Sequence, residues 1–492
     1  MKILNKKLFI ATMFTSLLLL GMGCKKQLDI NYSPNNPDYD LGNPRIVLPT
    51  AILATISKVG GDLSILGGIW SEYFTESTVA SQYRNYAQYN VKSPDLNAVY
   101  TRMFADGLKN YQYVISKSAE EGDWNYYLMA TVMKAYTTEV LVDLYDEIPY
   151  SEALQGQANL YPKFDDGHTI YVSLLDSIDV ALSKDFNAST NTDPGNADLI
   201  FGGDMSQWIA FANTLKLKMY LRMINKYPED AEKGIKDLYN SGATFLTTNA
   251  AVTNFTDQDS KRNPMYEQNI QQLNTPDNLR ASTTFVSWLK ANGDPRIVSF
   301  FGKEDITSVN QGDDNSNSEG ASTAAVFVEK FDDPVVFISA AESYFMQAEA
   351  NLRYNVGTPA KETYDEGVMA AFNDLGLDAT SFIASGGRYE FPSGGSMDDK
   401  MEAIITQKWA SCAYGCHGIE AFFEKNRTDF PKTSPVYSTN PNYIPGQIVV
   451  SASTVLPPGQ LPKRLQFPYV VIQSNPNAPA LVPITTPVWW SK

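Results

Sequence analysis

The chain has two histidines and three cysteines in 492 residues. That excludes a disulfide-built scaffold and leaves too few soft ligands for a rich metal centre. It has no excess of positive charge, because 39 Lys and Arg face 55 Asp and Glu for a net charge of −16. A nucleic-acid backbone needs a basic face, so that class of partner is excluded. No G-x-x-x-x-G-K-[ST] loop is present, and nucleotide chemistry loses its usual signature. The N-terminal apolar run from Leu8 to Met22 spans about 15 residues, short of the ~20 that cross a bilayer.

What is present is apolar and aromatic. Apolar residues make up 43% and aromatics 12%, with 28 tyrosines and 7 tryptophans, so a sizeable core is available. Length alone allows two to four domains at about 100–200 residues each. Tyrosine joins a flat apolar ring to a hydroxyl, which suits sugar and peptide contacts, although most tyrosines are expected to fill helix interfaces.

Lys2, Lys6 and Lys7 precede the apolar run, and Gly21-Met22-Gly23-Cys24 breaks it. A positive start, a short apolar stretch and small residues at a break describe an export signal. The break resembles the lipobox of bacterial lipoproteins, in which the Cys after the cut becomes lipid-modified. It departs from that pattern in having Gly21 where Leu is usual. A lipid on Cys24 anchors a chain to a membrane without spanning it, each buried CH₂ contributing about 0.8 kcal/mol.

The stretch from Ser339 to Phe372 predicts two paired helices. Ala341, Phe345, Ala348 and Leu352 form one stripe of a 3.6-residue helix, and Ala360, Tyr364, Val368 and Ala371 form another. At the join, Gly357 is expected to end the first helix, Thr358 to cap the second and Pro359 to start it. Small residues alternating with large aromatics suit tetratricopeptide-type pairs as well as an ordinary helix hairpin.

Further helices are expected at Pro49–Val59, Leu63–Phe74, Trp124–Val142, around Ile170–Ala181, around Trp208–Arg222 with Lys216, Lys218 and Arg222 facing outward, around Ile235–Tyr239, and at Met401–Cys412. Helical period is lost from Thr244 to Thr283 and from Gly302 to Ala325, and loops of that length are usually functional or disordered. Twelve of the 27 prolines fall after Thr428, which excludes a long helix there. A short strand is expected at Gln447–Ala452, and the closing TPVWW is expected to dock on the body.

Tyr83, Tyr86 and Tyr89 recur every third residue among Arg84, Asn85, Gln88 and Asn90. On one helical turn they share a face; in a loop they make an aromatic platform beside amide donors, the groups a polyol or peptide requires. Asn263 and Tyr266, with Gln268 and Asn269, repeat that chemistry in the first long loop. These five residues, Tyr83, Tyr86, Tyr89, Asn263 and Tyr266, are the candidate ligand contacts. Tyrosine packing is the competing reading of the first three.

Catalysis has weak support. Asp143 with Asp146 or Glu147, and Asp332 with Asp333, are carboxyl pairs of the kind glycoside hydrolysis uses. They sit at helix ends and turns, and acidic pairs are common in so acidic a chain. Cys412, Cys416 and His417 fall short of four zinc ligands, and a packed Cys or a local disulfide explains them better. Asp313, Asp314 and Asn315 lack the spacing of a calcium loop. No catalytic residue, metal or cofactor is expected.

Several local patterns recur in a shared order. They are Cys24 with LDINYSPNNP, LYDEIPYSEAL (Leu144 to Leu154), WIAFANTLKLKMYLRM (Trp208 to Met223), DPRI (Asp294 to Ile297), ISAAESYFMQAEA (Ile338 to Ala350), ITQKWASCAYGCHGIEAFFEKNRTDFP (Ile405 to Pro431), LPKRLQFPY (Leu461 to Tyr469) and the final TPVWW. With these the chain resembles the SusD/RagB family of bacterial outer-membrane nutrient-binding lipoproteins, in particular its SusD-like branch. The resemblance implies a mainly α fold with four tetratricopeptide-like helix pairs, long irregular loops and small β pieces. It implies a signal peptide at 1–23, a lipidated tether at 24–40 and a single helical domain at 41–492. It implies no enzyme activity, and a lipid-anchored protein facing the cell exterior. Such a protein binds a glycan or oligopeptide for a SusC-like, TonB-dependent barrel transporter. The sequence alone keeps a second reading open, a protein-interaction scaffold at the outer membrane.

Overall fold

Helix α1 (Pro44–Ser57) opens on a proline at its first position, where a missing N–H costs nothing. The structure, a computed structural model, describes residues 42–315 and 323–492. The expected signal peptide, Cys24 and the tether lie outside the described residues, as does part of the polar loop after Gly312. From α1 the chain runs through one π-helical turn, Lys58–Asp62, into α2 (Leu63–Trp70). The sequence pattern carries the second helix to Phe74. It ends at Trp70 instead, because Phe74–Glu76 leaves to pair antiparallel with Leu279–Ala281.

Consecutive helices then pack as pairs: α3 (Lys109–Glu121) on α4 (Trp124–Tyr145), α5 (Gly167–Leu182) on α6 (Met205–Met223), and α7 (Pro228–Asn240) back on α6. Asp123, Asp166 and Asp204 cap α4, α5 and α6 by accepting backbone N–H bonds in their first turns. The expected pair is α8 (Ala340–Tyr354) with α9 (Ala360–Asn373), and α10 (Met397–Ser411) with α11 (Gly418–Thr428) completes the helical body. At the α2–α11 crossing, a Cβ on Gly67 would lie 2.3 Å from the backbone nitrogen of Ile419, so only glycine permits this approach. Two further antiparallel ribbons, Glu147–Pro149 with Phe164–Asp166 and Ala250–Val252 with Val335–Ile338, are the remaining named sheet pieces among the described residues. The fold is mainly α, with irregular loops and small β pieces. Residues Pro44–Lys492 form one compact unit.

The α8–α9 join uses other residues than expected. Asn355 takes the left-handed conformation that ends α8, and Gly357, two residues on, has a positive φ (+63°) within the join. Pro359 precedes α9 instead of starting it, and Thr358 makes no cap. Asn351 does that work: its side-chain N–H donates to Val356 O (2.9 Å) and its Oδ1 accepts from Ala360 N (2.8 Å). The predicted stripes are buried, apart from half-buried Leu352, and the Phe345 and Tyr364 rings meet at 6.0 Å.

Helix α6 departs most from the sequence pattern. Lys216, Lys218 and Arg222 do not face outward; all three are buried. Lys216 pairs with Asp179. Arg222 donates to Asp143 (3.1 Å), Glu420 (2.8 Å) and Glu424, and Lys218 reaches Glu420 (3.0 Å) and Glu139 (3.2 Å). Arg427 clamps Glu349 and Glu424, and Lys408 faces Glu342, Glu420 and Glu424. This ion cluster ties α4, α6, α8, α10 and α11 together. The C-terminus joins it, since Trp490 is fully buried and its indole N–H donates to Asp143 (2.6 Å). The TPVWW segment docks as expected. Gln447–Ala452 forms only a single bridge, Ile448 to Thr433, not a strand.

Candidate ligand-binding face

The π turn at Lys58–Asp62 widens the helical run locally, a distortion that often marks functional positions. The Pro264–Gln271 segment packs against it. Gly61 allows this approach, because a Cβ there would sit 3.0 Å from the Gln268 side-chain oxygen. Beyond α2, the Tyr83–Tyr89 segment packs back on α2, and burial together with the Asp62 charge of the π turn raises the Tyr83 and Tyr86 hydroxyls above their ordinary range.

Arg84–Ala87 is a single helical turn. It keeps Tyr83 and Tyr86 together, their rings stacked with centroids 6.0 Å apart and planes 25° apart. The Trp70 indole N–H fixes the turn by donating to Tyr86 O (3.1 Å). Tyr83 is buried on most sides and Tyr86 is half-buried. The three-residue spacing fails at Tyr89. Its φ of +57° turns the chain out of the helix, and its ring is 1% exposed. Tyr89 therefore packs inside and presents no face to a ligand in this structure.

Asn263 is a cap. Its Oδ1 accepts from Met265 N (2.8 Å) and Tyr266 N (3.1 Å), and its amide N–H donates to Asp333 O (2.9 Å). Those bonds consume the groups a ligand would use. Tyr266 is half-buried, edge-on to Phe331 with centroids 6.4 Å apart. Of the five sequence candidates, Tyr86 and Tyr266 keep exposed surface, and Tyr83, itself buried, backs the Tyr86 ring.

Two carboxyls beside Tyr83 give no distinctive sequence signal. Glu76 accepts from Tyr83 N (3.0 Å), and burial pushes its pKa up to about 7 against that bond. Burial pushes Glu329 up to about 8, partly offset by the Asn269 amide, which donates at 2.6 Å. One oxygen of each carboxyl, Glu76 Oε1 and Glu329 Oε2, is buried without a hydrogen-bond partner. A carboxyl that titrates near neutrality offers both an O–H donor and an acceptor. The charges of Glu329, Glu76 and Asp62 add to burial in raising the Tyr83 hydroxyl above its ordinary range.

Glu329 also lines a cavity of about 350 Å³, with Asn263, Met265, Asp333, Cys416 and His417 on its walls. Cys412 and Cys416 are free thiols. Burial holds both protonated, Cys416 up to about 12. His417 Nε2 lies 2.8 Å from Glu342. Asp143, one of the carboxyls weighed for hydrolysis, is committed to Arg222, Tyr171 and Trp490.

A SusD-like family model, described as "Starch-binding associating with outer membrane", matches residues 54–449. Solved structures share the fold. A chitin-binding SusD homologue from Flavobacterium johnsoniae is 20% identical, with a TM-score of 0.74 over 90% of this chain and 98% of that one. A SusD homologue from Bacteroides uniformis is 21% identical, with a TM-score of 0.72 over 91% and 99%. A SusD-like protein from Bacteroides thetaiotaomicron is 21% identical, with a TM-score of 0.69 over 91% and 99%. Among curated proteins none matches.

Proposed function

The chain belongs to the SusD-like family, and from that premise we propose that it captures a glycan at the outer membrane without chemically changing it. In this reading Cys24 carries the lipid anchor, the body faces the cell exterior, and the ligand passes to a SusC-like, TonB-dependent barrel. The family description names starch and two structural neighbours are described as chitin-binding, which favours glycan over oligopeptide.

The observation that carries the reading is the stacked Tyr83–Tyr86 pair beside the Glu76 and Glu329 carboxyls. A sugar presents C–H faces that lie on aromatic rings and hydroxyls that exchange hydrogen bonds with carboxyls. Aromatic stacking and a few hydrogen bonds are modest driving forces, so affinity on the order of micromolar to millimolar is expected. The test is calorimetric titration of the full chain, in detergent, with malto- and chito-oligosaccharides and with oligopeptides. Saturable glycan binding that weakens about tenfold in Tyr83→Ala/Tyr86→Ala is the expected result. Binding of peptides alone, or glycan binding indifferent to those changes, would overturn it.

A further inference from the structure

A second site lies away from that face, where α3, α4 and α5 meet. Two adjoining cavities of about 490 and 300 Å³ share Gln112, Lys134, Tyr150 and Ser173 in their walls. Both are of the size that holds small ligands. Lys134 of α4 projects from the helical body between them. Its ammonium donates to Gln112 Oε1 (2.7 Å) and lies 5.6 Å from the centroid of the Tyr150 ring. The Ser173 hydroxyl donates to the Tyr150 hydroxyl (3.2 Å), which fixes that ring as a wall.

The amine differs from the cations of the ion cluster. The buried cations of the ion cluster each face carboxylates, whereas among the described residues no carboxylate pairs with Lys134. This half-buried cation is held by one neutral amide and a tyrosine ring, and an incoming carboxylate supplies the opposite charge it lacks. We propose that Lys134 anchors the carboxylate of a small acidic ligand in these cavities, supplied by a uronate sugar or by the C-terminus of a short peptide. Tyr150 and Tyr127 offer ring faces to the rest of that ligand, and Gln112, Ser173 and Thr131 offer polar groups.

Burial pushes the Lys134 pKa down to about 8. The other titratable groups lining the two cavities are Tyr127, Tyr150 and Asp176. A carboxylate binds the protonated amine, so affinity should hold steady from pH 6 to 7.5 and fall above about pH 8 as Lys134 loses its proton.

The experiment titrates the full chain in detergent with four probes: trigalacturonate, its methyl ester, trialanine, and trialanine amide. One free acid is expected to bind saturably, and which of them binds names the source of the carboxylate. Its neutral derivative should bind about tenfold more weakly or not at all. Lys134→Met should cost a similar factor. Lys134→Arg should keep the binding and lose its fall above pH 8. Equal affinity for acid and neutral probe, no binding of either acid, or unchanged affinity in Lys134→Met overturns the proposal. If Lys134→Met fails to fold, the acid-against-neutral comparison on the unaltered chain decides alone.

Discussion

Arg222 is where a single side chain matters most. Its guanidinium meets Asp143, Glu420 and Glu424, and it has no solvent to fall back on. Removing one member of a buried ion cluster strands the rest, which typically costs 3–5 kcal/mol. Arg222→Met is therefore expected to lower stability by about that much, read as a drop in the thermal midpoint. An unchanged midpoint would mean that the cluster reorganises freely. The tyrosines divide by the same logic. Tyr89→Ala empties a core position and is expected to cost about 3 kcal/mol or more in stability. Tyr86→Ala, at a half-buried ring, is expected to weaken glycan binding while leaving the melt nearly unmoved. Titration and melting on the two variants separate packing from binding, and a Tyr86→Ala protein that melts like Tyr89→Ala would remove Tyr86 from the site.

At the scale of elements, the α8–α9 pair shows what the sequence makes legible. Burial of one stripe is a local, periodic signal, and the stripes of both helices are where the spacing puts them. The join is less legible, because Gly357, Thr358 and Pro359 look like cap residues while Asn351, one turn back inside α8, closes the turn. Asn351→Ala removes two hydrogen bonds and Ser339→Ala removes the α8 N-cap bond to Glu342 N (2.9 Å). Each is expected to cost about 1–2 kcal/mol, whereas Thr358→Ala should cost nearly nothing. Comparable losses in all three, by denaturant titration, would contradict this division. The α6 cations were legible only as charges. Their carboxylate partners Asp143, Glu420 and Glu424 lie 79, 198 and 202 residues from Arg222, beyond any helical period. The candidate face was half legible for a similar reason. The spacing found Tyr83 and Tyr86, but Glu76 and Glu329 come from separate segments that only the fold brings beside them.

Over the whole molecule, the buried carboxyls fall into two groups of opposite sign. In the first, burial raises Glu72 and Glu329 to about 8 and Glu76 to about 7, against an ordinary value of 4.5. The folded chain then holds protons that the unfolded chain releases, so their contribution is full below pH 4.5 and is lost as pH rises through 7 to 8. In the second, burial is outweighed by cations: Arg427 and Arg353 hold Glu349 down to about 2, and Arg222, Lys218 and Lys408 hold Glu420 well below its ordinary range. Their contribution is present above pH 4.5 and is lost as pH falls toward 2. Stability should therefore peak near pH 5 and decline on both sides, so thermal midpoints should be higher at pH 5.5 than at pH 8. Glu329→Gln, which cannot ionise, should shrink that difference. A midpoint that rises from pH 5.5 to 8 would reverse the sign assigned to the first group. Because Glu76 and Glu329 stand beside Tyr83, the same interval changes the hydrogen-bonding character of the ligand face. A glycan affinity that varies between pH 6 and 8, and varies less in Glu329→Gln, would tie the stability curve to the binding face.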